Sequence, residues 1–263
     1  MNNIMIGSYY PGESFIHKLD PRVKIILTVA IMALIFFVES FVGYGFFALF
    51  MLAVALITKI PVKMFIKSLK PLLFLLVFTF IVNLLFIKGD RIAFQLGFIK
   101  IYYEGIRFSV FMALRLIFMV VTASIMTFTT TPVMLSAGIE KVLSPLKVVK
   151  FPVHELSMMM TIALRFIPTL MEETDKIRKA QMARGADFET GGIKDKAMAL
   201  IPLLIPLFIS AFRRADELAM AMESRCYHGE EGRTSFKVLK LKSNDYMAIF
   251  AIIVFAVVVI MFG

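Results

Sequence analysis

The chain has 263 residues, of which 59% are hydrophobic and 18% are charged, and its formal net charge is +10 at pH 7. Soluble domains average about 45–50% apolar and about 25% charged residues, so the composition argues against a soluble protein. A strongly basic soluble protein would suggest nucleic acid as a partner. In a membrane protein, basic residues collect on cytoplasmic loops and set the topology. We therefore expect the bilayer, and no nucleic acid, as the partner of this chain.

Five apolar runs divide the sequence. In chain order they are Ile25–Val38, Phe46–Ile57, Leu72–Ile87, Phe108–Phe128 and Met247–Phe262. A helix needs about 17–25 apolar residues to cross a hydrocarbon core about 30 Å thick, and with their flanks these runs approach that length. They predict an all-α membrane protein with about five transmembrane helices. The alternating residues from Ile92 to Phe98 favour a strand; a small external hairpin and an interfacial loop fit them equally well.

The basic residues orient the predicted helices. Lys59, Lys63, Lys67 and Lys70 lie between the second and third runs, whereas the loop between the first two runs has no basic residue. Because basic residues favour the cytoplasmic side, we expect the N-terminus to be cytoplasmic. The predicted organisation is a membrane domain with four spans over residues 1–130, a cytoplasmic region over residues 131–245 and a C-terminal transmembrane helix over residues 246–263.

Two shorter apolar stretches, Met158–Leu170 and Met198–Phe212, lie within the predicted cytoplasmic region. If both crossed the membrane, the basic residues between them would lie outside, against the charge rule. We interpret them as the buried or interfacial starts of two long amphipathic helices. The sequence predicts these helices over Ser157–Gly185 and Lys196–Tyr227, with Gly191-Gly192 as the hinge.

Each of the two predicted helices ends in an arginine between two small residues. The two triplets are Ala183, Arg184, Gly185 and Ser224, Arg225, Cys226. Small neighbours let a partner surface approach, and an arginine can donate up to five hydrogen bonds to it. Alternatively, both arginines are ordinary C-terminal cations that complement the helix macrodipole. The residues alone leave these two interpretations open.

Other candidate sites are weaker. Arg115 lies inside the fourth run, where a charge suggests a functional site; we favour the simpler interpretation that it reaches the outer interface beside Arg107. His17, His154 and His228 are too scattered to form a metal site. The sequence has no G-x-x-x-x-G-K-[ST] loop for ATP phosphates. We therefore expect no catalytic residue, metal or cofactor in this chain.

Three segments carry a family resemblance. They are the opening S-F-I-H-K-L-D-P-R-V-K from Ser14 to Lys24, the R-F-I-P at Arg165–Pro168 leading into A-Q-M-A-R-G at Ala180–Gly185, and A-M-E-S-R-C-Y at Ala221–Tyr227. Together they resemble the transmembrane T component of energy-coupling factor transporters, a branch of ABC importers for vitamins and metals. In the last segment Ser224 and Cys226 stand where the family often has Ala and Gly. Cys adopts the left-handed conformation of a helix end at a higher cost than Gly.

The resemblance implies a non-catalytic subunit in the plasma membrane of a prokaryote. In that family two cytoplasmic coupling helices cross, and the arginine of each motif docks into one of two ABC ATPase subunits, which are identical or different. Closure of the ATPases is passed on to a separate substrate-binding S component in the membrane, which selects the vitamin or metal. Carried over, the docking residues are the six residues of the two triplets.

Two other functions compete with this interpretation. A free-standing permease would often show inverted repeats and polar sites at the midplane, and neither is evident in the sequence. An intramembrane transferase would need clustered carboxylates to hold Mg²⁺ on a diphosphate. The nearest group, Glu172, Glu173 and Asp175, has lysines beside it, which favours surface ion pairs instead.

Overall fold

The computed structural model describes residues 9–96, 99–149, 151–188, 192–229 and 239–262. Its α-helices within these ranges are α1 Pro21–Leu34, α2 Phe41–Thr58, α3 Val62–Leu69, α4 Leu73–Phe86, α5 Tyr103–Thr129, α6 Pro132–Leu143, α7 Val153–Ala183, α8 Ile193–Glu223 and α9 Ser243–Phe262. Two antiparallel strands, β1 Ile92–Leu96 and β2 Ile99–Tyr102, form a hairpin between α4 and α5. The predicted all-α membrane fold is confirmed. Of the two alternatives for the segment that starts at Ile92, the hairpin is the one observed.

Five stretches of the described residues are long and apolar enough to cross a bilayer. They are Phe41–Thr58, Val62–Phe86, Tyr103–Thr129, Ala197–Glu223 and Ser243–Phe262. The number agrees with the prediction, but the set differs. The first predicted run forms α1, which has only 14 residues and a length of about 21 Å at 1.5 Å per residue. Ala197–Glu223 qualifies instead, because α8 continues without a break through Pro202 and Pro206.

The described residues fall into two compact units. One, which we call the hairpin unit, lies between Val142 and Val238 and contains α7 and α8. The other, which we call the bundle unit, comprises Gly7–Lys141 and Leu239–Gly263. The bundle unit holds α1 to α5, the β-hairpin, most of α6 and α9, so it joins the two ends of the described chain.

Aromatic side chains form the centre of the bundle unit. Phe47 of α2 is fully buried, and its ring centroid lies 5.3 Å from the rings of both Phe118 and Phe255. Phe50, one turn further along α2, stacks on Phe255 at 4.0 Å. Pairs of this kind contribute about 0.5–1.5 kcal/mol beyond the area they bury. They hold α5 and the C-terminal helix α9 against α2.

Arg115 has a structural role in the bundle unit. Its guanidinium donates hydrogen bonds to the hydroxyl of Tyr44 at 3.0 Å and to the carbonyl of Val38 at 3.1 Å. Arg107, about two turns earlier on α5, donates to the carbonyl of Glu39 at 2.8 Å. Both arginines therefore bind the backbone that links α1 to α2. This agrees with the interpretation that groups Arg115 with Arg107 and leaves no functional site to explain.

Candidate functional site

The helix α7 ends in a closed backbone turn around Arg184. Gly185 has a positive φ of 88°, which reverses the chain. Its N–H donates to the carbonyl of Met182 at 3.0 Å, and the N–H of Ala186 donates to the carbonyl of Gln181 at 3.0 Å. These two bonds define a Schellman motif, in which a left-handed residue, usually glycine, follows the helix. The predicted left-handed conformation at Gly185 is therefore observed.

The helix α8 ends in the same turn around Arg225. Cys226 has a positive φ of 57°, although it is not glycine. Its N–H donates to the carbonyl of Glu223 at 2.8 Å, and the N–H of Tyr227 donates to the carbonyl of Met222 at 3.1 Å. Both arginines thus occupy the position directly before the left-handed residue. Cys226 accepts the conformational cost that the sequence suggested, so the two motifs differ in composition but share one backbone geometry.

All six residues of the two triplets are exposed. Met182 and Met220, near the two triplets, are 52% and 62% exposed. Neither Arg184 nor Arg225 makes a hydrogen bond or an ion pair with the described part of the chain. Each guanidinium is therefore accessible and stands beside exposed apolar surface, an arrangement suited to a partner protein, since arginine and methionine are enriched at protein interfaces.

Within the hairpin unit, α7 and α8 pack antiparallel. Gln181 near the end of α7 donates from Nε2 to the carbonyl of Pro202, early in α8, at 3.3 Å. That carbonyl lies four residues before Pro206, which has no N–H to bind it in the helix. Earlier in α7, Glu173 contacts Ser210 and Arg214, further along α8. The order of these contacts shows that the two helices run in opposite directions.

The antiparallel packing places the two arginines at opposite ends of the helix pair. Arg184 lies 11 residues after Glu173, and Arg225 lies 11 residues after Arg214. At 1.5 Å per residue, each arginine is about 16 Å along its helix from the Glu173–Arg214 contact. Because the helices run in opposite directions, the two arginines are separated by up to about 33 Å.

Glu173 joins the two long helices. Its Oε1 accepts a hydrogen bond from the Ser210 hydroxyl, and its Oε2 accepts one from Nη2 of Arg214 at 3.0 Å. The Ser210 hydrogen bond and the positive charges of Arg214 and Lys176 lower the pKa of Glu173, so this carboxylate is ionised at neutral pH. Sequence reasoning assigned Glu173 to surface pairs with nearby lysines of its own helix and missed this contact, because it depends on the register of α7 against α8.

The polar residues of the opening segment form a second cluster, in the bundle unit. Asp245 is 1% exposed and accepts hydrogen bonds from the N–H of Asp20 at 2.8 Å and of Lys242 at 2.7 Å. Arg22 donates to both carboxylate oxygens of Asp20 and to the carbonyl of Leu239 at 3.1 Å. Burial acts to raise the pKa of Asp20, but the hydrogen bonds from Arg22 outweigh it and hold the pKa below its usual value. These contacts fix the start of α1 to the start of α9.

Lys24 extends this cluster to the end of α5. Its ammonium donates to the carbonyls of Thr129 at 2.8 Å and His17 at 3.2 Å and to the hydroxyl of Thr130 at 3.3 Å, which uses its three protons. Burial lowers the pKa of Lys24 to about 8, and the negative charge of Asp245 opposes that effect. We call Asp20, Arg22, Lys24 and Asp245 the opening latch, since they join three separate parts of the chain.

Among the described residues, no group of three or more His, Cys, Asp and Glu side chains is arranged to hold a metal ion. The polar clusters found there are the opening latch and the Glu173 contact, and hydrogen bonds to the chain itself occupy both.

Known proteins share this sequence over almost its whole length. The family described as cobalt transport protein, CbiQ, matches residues 12–236. A relative from Thermosediminibacter oceani is 55% identical over 95% of this chain and 94% of its own length. Relatives from Ruminiclostridium cellulolyticum and Bacillus subtilis are 52% and 45% identical, over 99% and 97% of this chain and 97% of their own length in both cases. All three are named energy-coupling factor transporter transmembrane protein EcfT.

The chain belongs to the family of energy-coupling factor transporter transmembrane proteins. It is a multi-pass membrane protein and the transmembrane component of such a transporter. The resemblance seen in the sequence is thereby confirmed. The family match includes the opening segment and both arginine triplets, since all of them lie between residues 12 and 236.

The two helix ends should respond in opposite ways to a change at the left-handed residue. Gly185→Ala puts a Cβ in a left-handed conformation at a cost of about 1 kcal/mol, and nothing lies within 4 Å of that Cβ to add a clash. We expect the Ala186 amide to exchange with solvent about fivefold faster. Cys226→Gly removes the same cost, so the Tyr227 amide should exchange more slowly. Hydrogen exchange measures both, and a shift in the same direction for the two variants would contradict the shared geometry.

The opening latch should contribute to the stability of the bundle unit. Asp245→Asn keeps the shape of the side chain but leaves one buried N–H without an acceptor and Lys24 without its counter-charge. We expect a loss of about 1–3 kcal/mol, measured by thermal unfolding of the purified protein in detergent. The control is Glu13→Gln, at a side chain that is 93% exposed. Equal melting temperatures for the two variants would show that the latch is not a stabilising contact.

Proposed function

We propose that this chain is the energy-coupling subunit of its transporter, and that Arg184 and Arg225 are its docking residues for two ABC ATPase subunits. The observation that carries the proposal is the pair of matching helix ends. Two exposed arginines occupy the same position in the same backbone turn, at opposite ends of one helix pair. Two similar sites at a wide separation suit two similar partners, whether these are identical or different subunits.

The remaining residues of the triplets support the same role. Ala183, Gly185, Ser224 and Cys226 are small and exposed, so a groove on the partner can enclose the guanidinium without meeting a bulky neighbour. A docked arginine donates charge-assisted hydrogen bonds, which are about twice as strong as neutral ones. In this proposal the chain hydrolyses no ATP itself. Hydrolysis takes place on the ATPases, and their closure displaces the two helix ends.

The helix pair then passes this displacement to a separate S component in the membrane, which binds the vitamin or metal. The large exposed apolar side chains on α8, including Phe208, Ile209 and Phe212, give the hairpin unit a surface for lipid or another membrane protein. The proposed topology places the N-terminus and residues 131–245 in the cytoplasm and the spans of residues 1–130 and 246–263 in the plasma membrane. The lysines at positions 59, 63, 67 and 70 support this orientation.

Replacing both docking arginines should separate the chain from its ATPases. Arg184→Ala with Arg225→Ala removes the charge-assisted hydrogen bonds at both sites, which we expect to weaken ATPase binding at least about 100-fold and to abolish uptake. Co-purification of the ATPases and substrate uptake by cells measure the two effects, and the amount of the chain in the membrane should not change.

The matched control is Arg178→Ala with Arg213→Ala, since these arginines are also exposed and lie on the same two helices. That variant should bind the ATPases and support uptake like the unmodified chain. Normal ATPase binding by the Arg184 and Arg225 variant would contradict the proposal. Uptake by the chain alone in liposomes would instead support a free-standing permease.

A further inference from the structure

We infer that the contact of Glu173 with Ser210 and Arg214 is the pivot of the helix pair, through which movement at one docking arginine reaches the other. This inference rests on the proposed function, because it takes Arg184 and Arg225 as the points where force is applied. We call Glu173, Ser210 and Arg214 the pivot contact. Its three residues act by positioning other residues and contact no substrate or nucleotide in this proposal.

The position of the pivot contact supports this role. Each docking arginine follows it by 11 residues, so the two helical arms have the same length of about 16 Å. Because α7 and α8 run in opposite directions, the arms extend to opposite sides. A rotation of one helix against the other about this point therefore displaces both arginines by equal amounts.

The chemistry of the contact fixes the register of the two helices. The two oxygens of Glu173 bind donors that are four residues apart on α8, and residues four apart are neighbours on one helix face. The carboxylate thus spans one turn of α8. Sliding of α7 along α8 would leave an ionised, half-buried carboxylate without its donors, whereas rotation about the contact keeps both bonds. Apolar contacts alone are non-directional and would not distinguish sliding from rotation.

Burial separates the pivot residues from their sequence neighbours. The side chains of Glu173 and Arg214 are 23% and 35% exposed, while Glu172 and Arg213, of the same residue types and one position earlier, are fully in the exposed class. The lowered pKa of Glu173 keeps the pair charged at neutral pH. The chain therefore offers a matched control for each charged member of the contact.

The test compares Glu173→Ala with Glu172→Ala in the complete transporter reconstituted in liposomes. For Glu173→Ala we expect the ATPases to remain bound and ATP hydrolysis to continue, while uptake per ATP hydrolysed falls about tenfold, since one charge-assisted contact is lost. Glu172→Ala should leave this ratio unchanged. The ratio is the decisive measurement, because a general loss of stability would reduce uptake and hydrolysis together.

A charge exchange provides the second arm. Glu173→Arg alone and Arg214→Glu alone should each lower the ratio, and the two together should restore most of it, because the ion pair re-forms with its polarity reversed. Arg213→Glu is the control that should not rescue Glu173→Arg. Three results would overturn the inference: an unchanged ratio in Glu173→Ala, loss of the ATPases in that variant, or no recovery in the double variant. Failure of the proposed function is distinguishable, since it would be seen as normal ATPase binding after loss of Arg184 and Arg225.

Discussion

The antiparallel packing of α7 and α8 determines where the two arginines can lie. If the helices ran parallel, their C-terminal ends would lie together; running in opposite directions, they separate Arg184 and Arg225 by up to about 33 Å. Two polar contacts hold this arrangement. Gln181 binds the Pro202 carbonyl that Pro206 leaves without a donor, and Glu173 binds Ser210 and Arg214. Both contacts use groups that would be costly to leave unpaired, so they specify the register as well as the direction of the helix pair.

A different set of buried polar groups holds the bundle unit. The apolar packing of α2, α5 and α9 has no strong directional preference, and the exposed apolar side chains on these helices are suited to lipid. The opening latch supplies the direction, because it ties the start of α1 to the start of α9 and to the end of α5. A membrane domain assembled from the two ends of the described chain needs such a contact, since Asp20 and Asp245 are 225 residues apart.

The sequence was sufficient for the features that depend on local pattern. Apolar runs predicted the membrane helices, and the small residues around Arg184 and Arg225 predicted two comparable helix ends, including the left-handed Gly185. Features that depend on register between distant elements were missed. The pairing of Glu173 with Arg214 competes with equally plausible pairs within α7, and nothing in the sequence selects between them. Asp245 stands directly before the last apolar run, where an acid can equally be a helix-start residue. The span count was right but its members were not, since Pro202 and Pro206 suggested an interruption that α8 does not have.

The central proposal is that the two helix ends face the cytoplasm and that an ATPase covers each of them. Cys226 tests it directly, because it is the only cysteine in the sequence, is exposed and lies next to Arg225. A membrane-impermeant maleimide should label it in inside-out vesicles stripped of ATPases and not in right-side-out vesicles. Adding back the ATPases should protect it from the reagent. Labelling from the outside, or equal labelling with and without bound ATPases, would contradict the account.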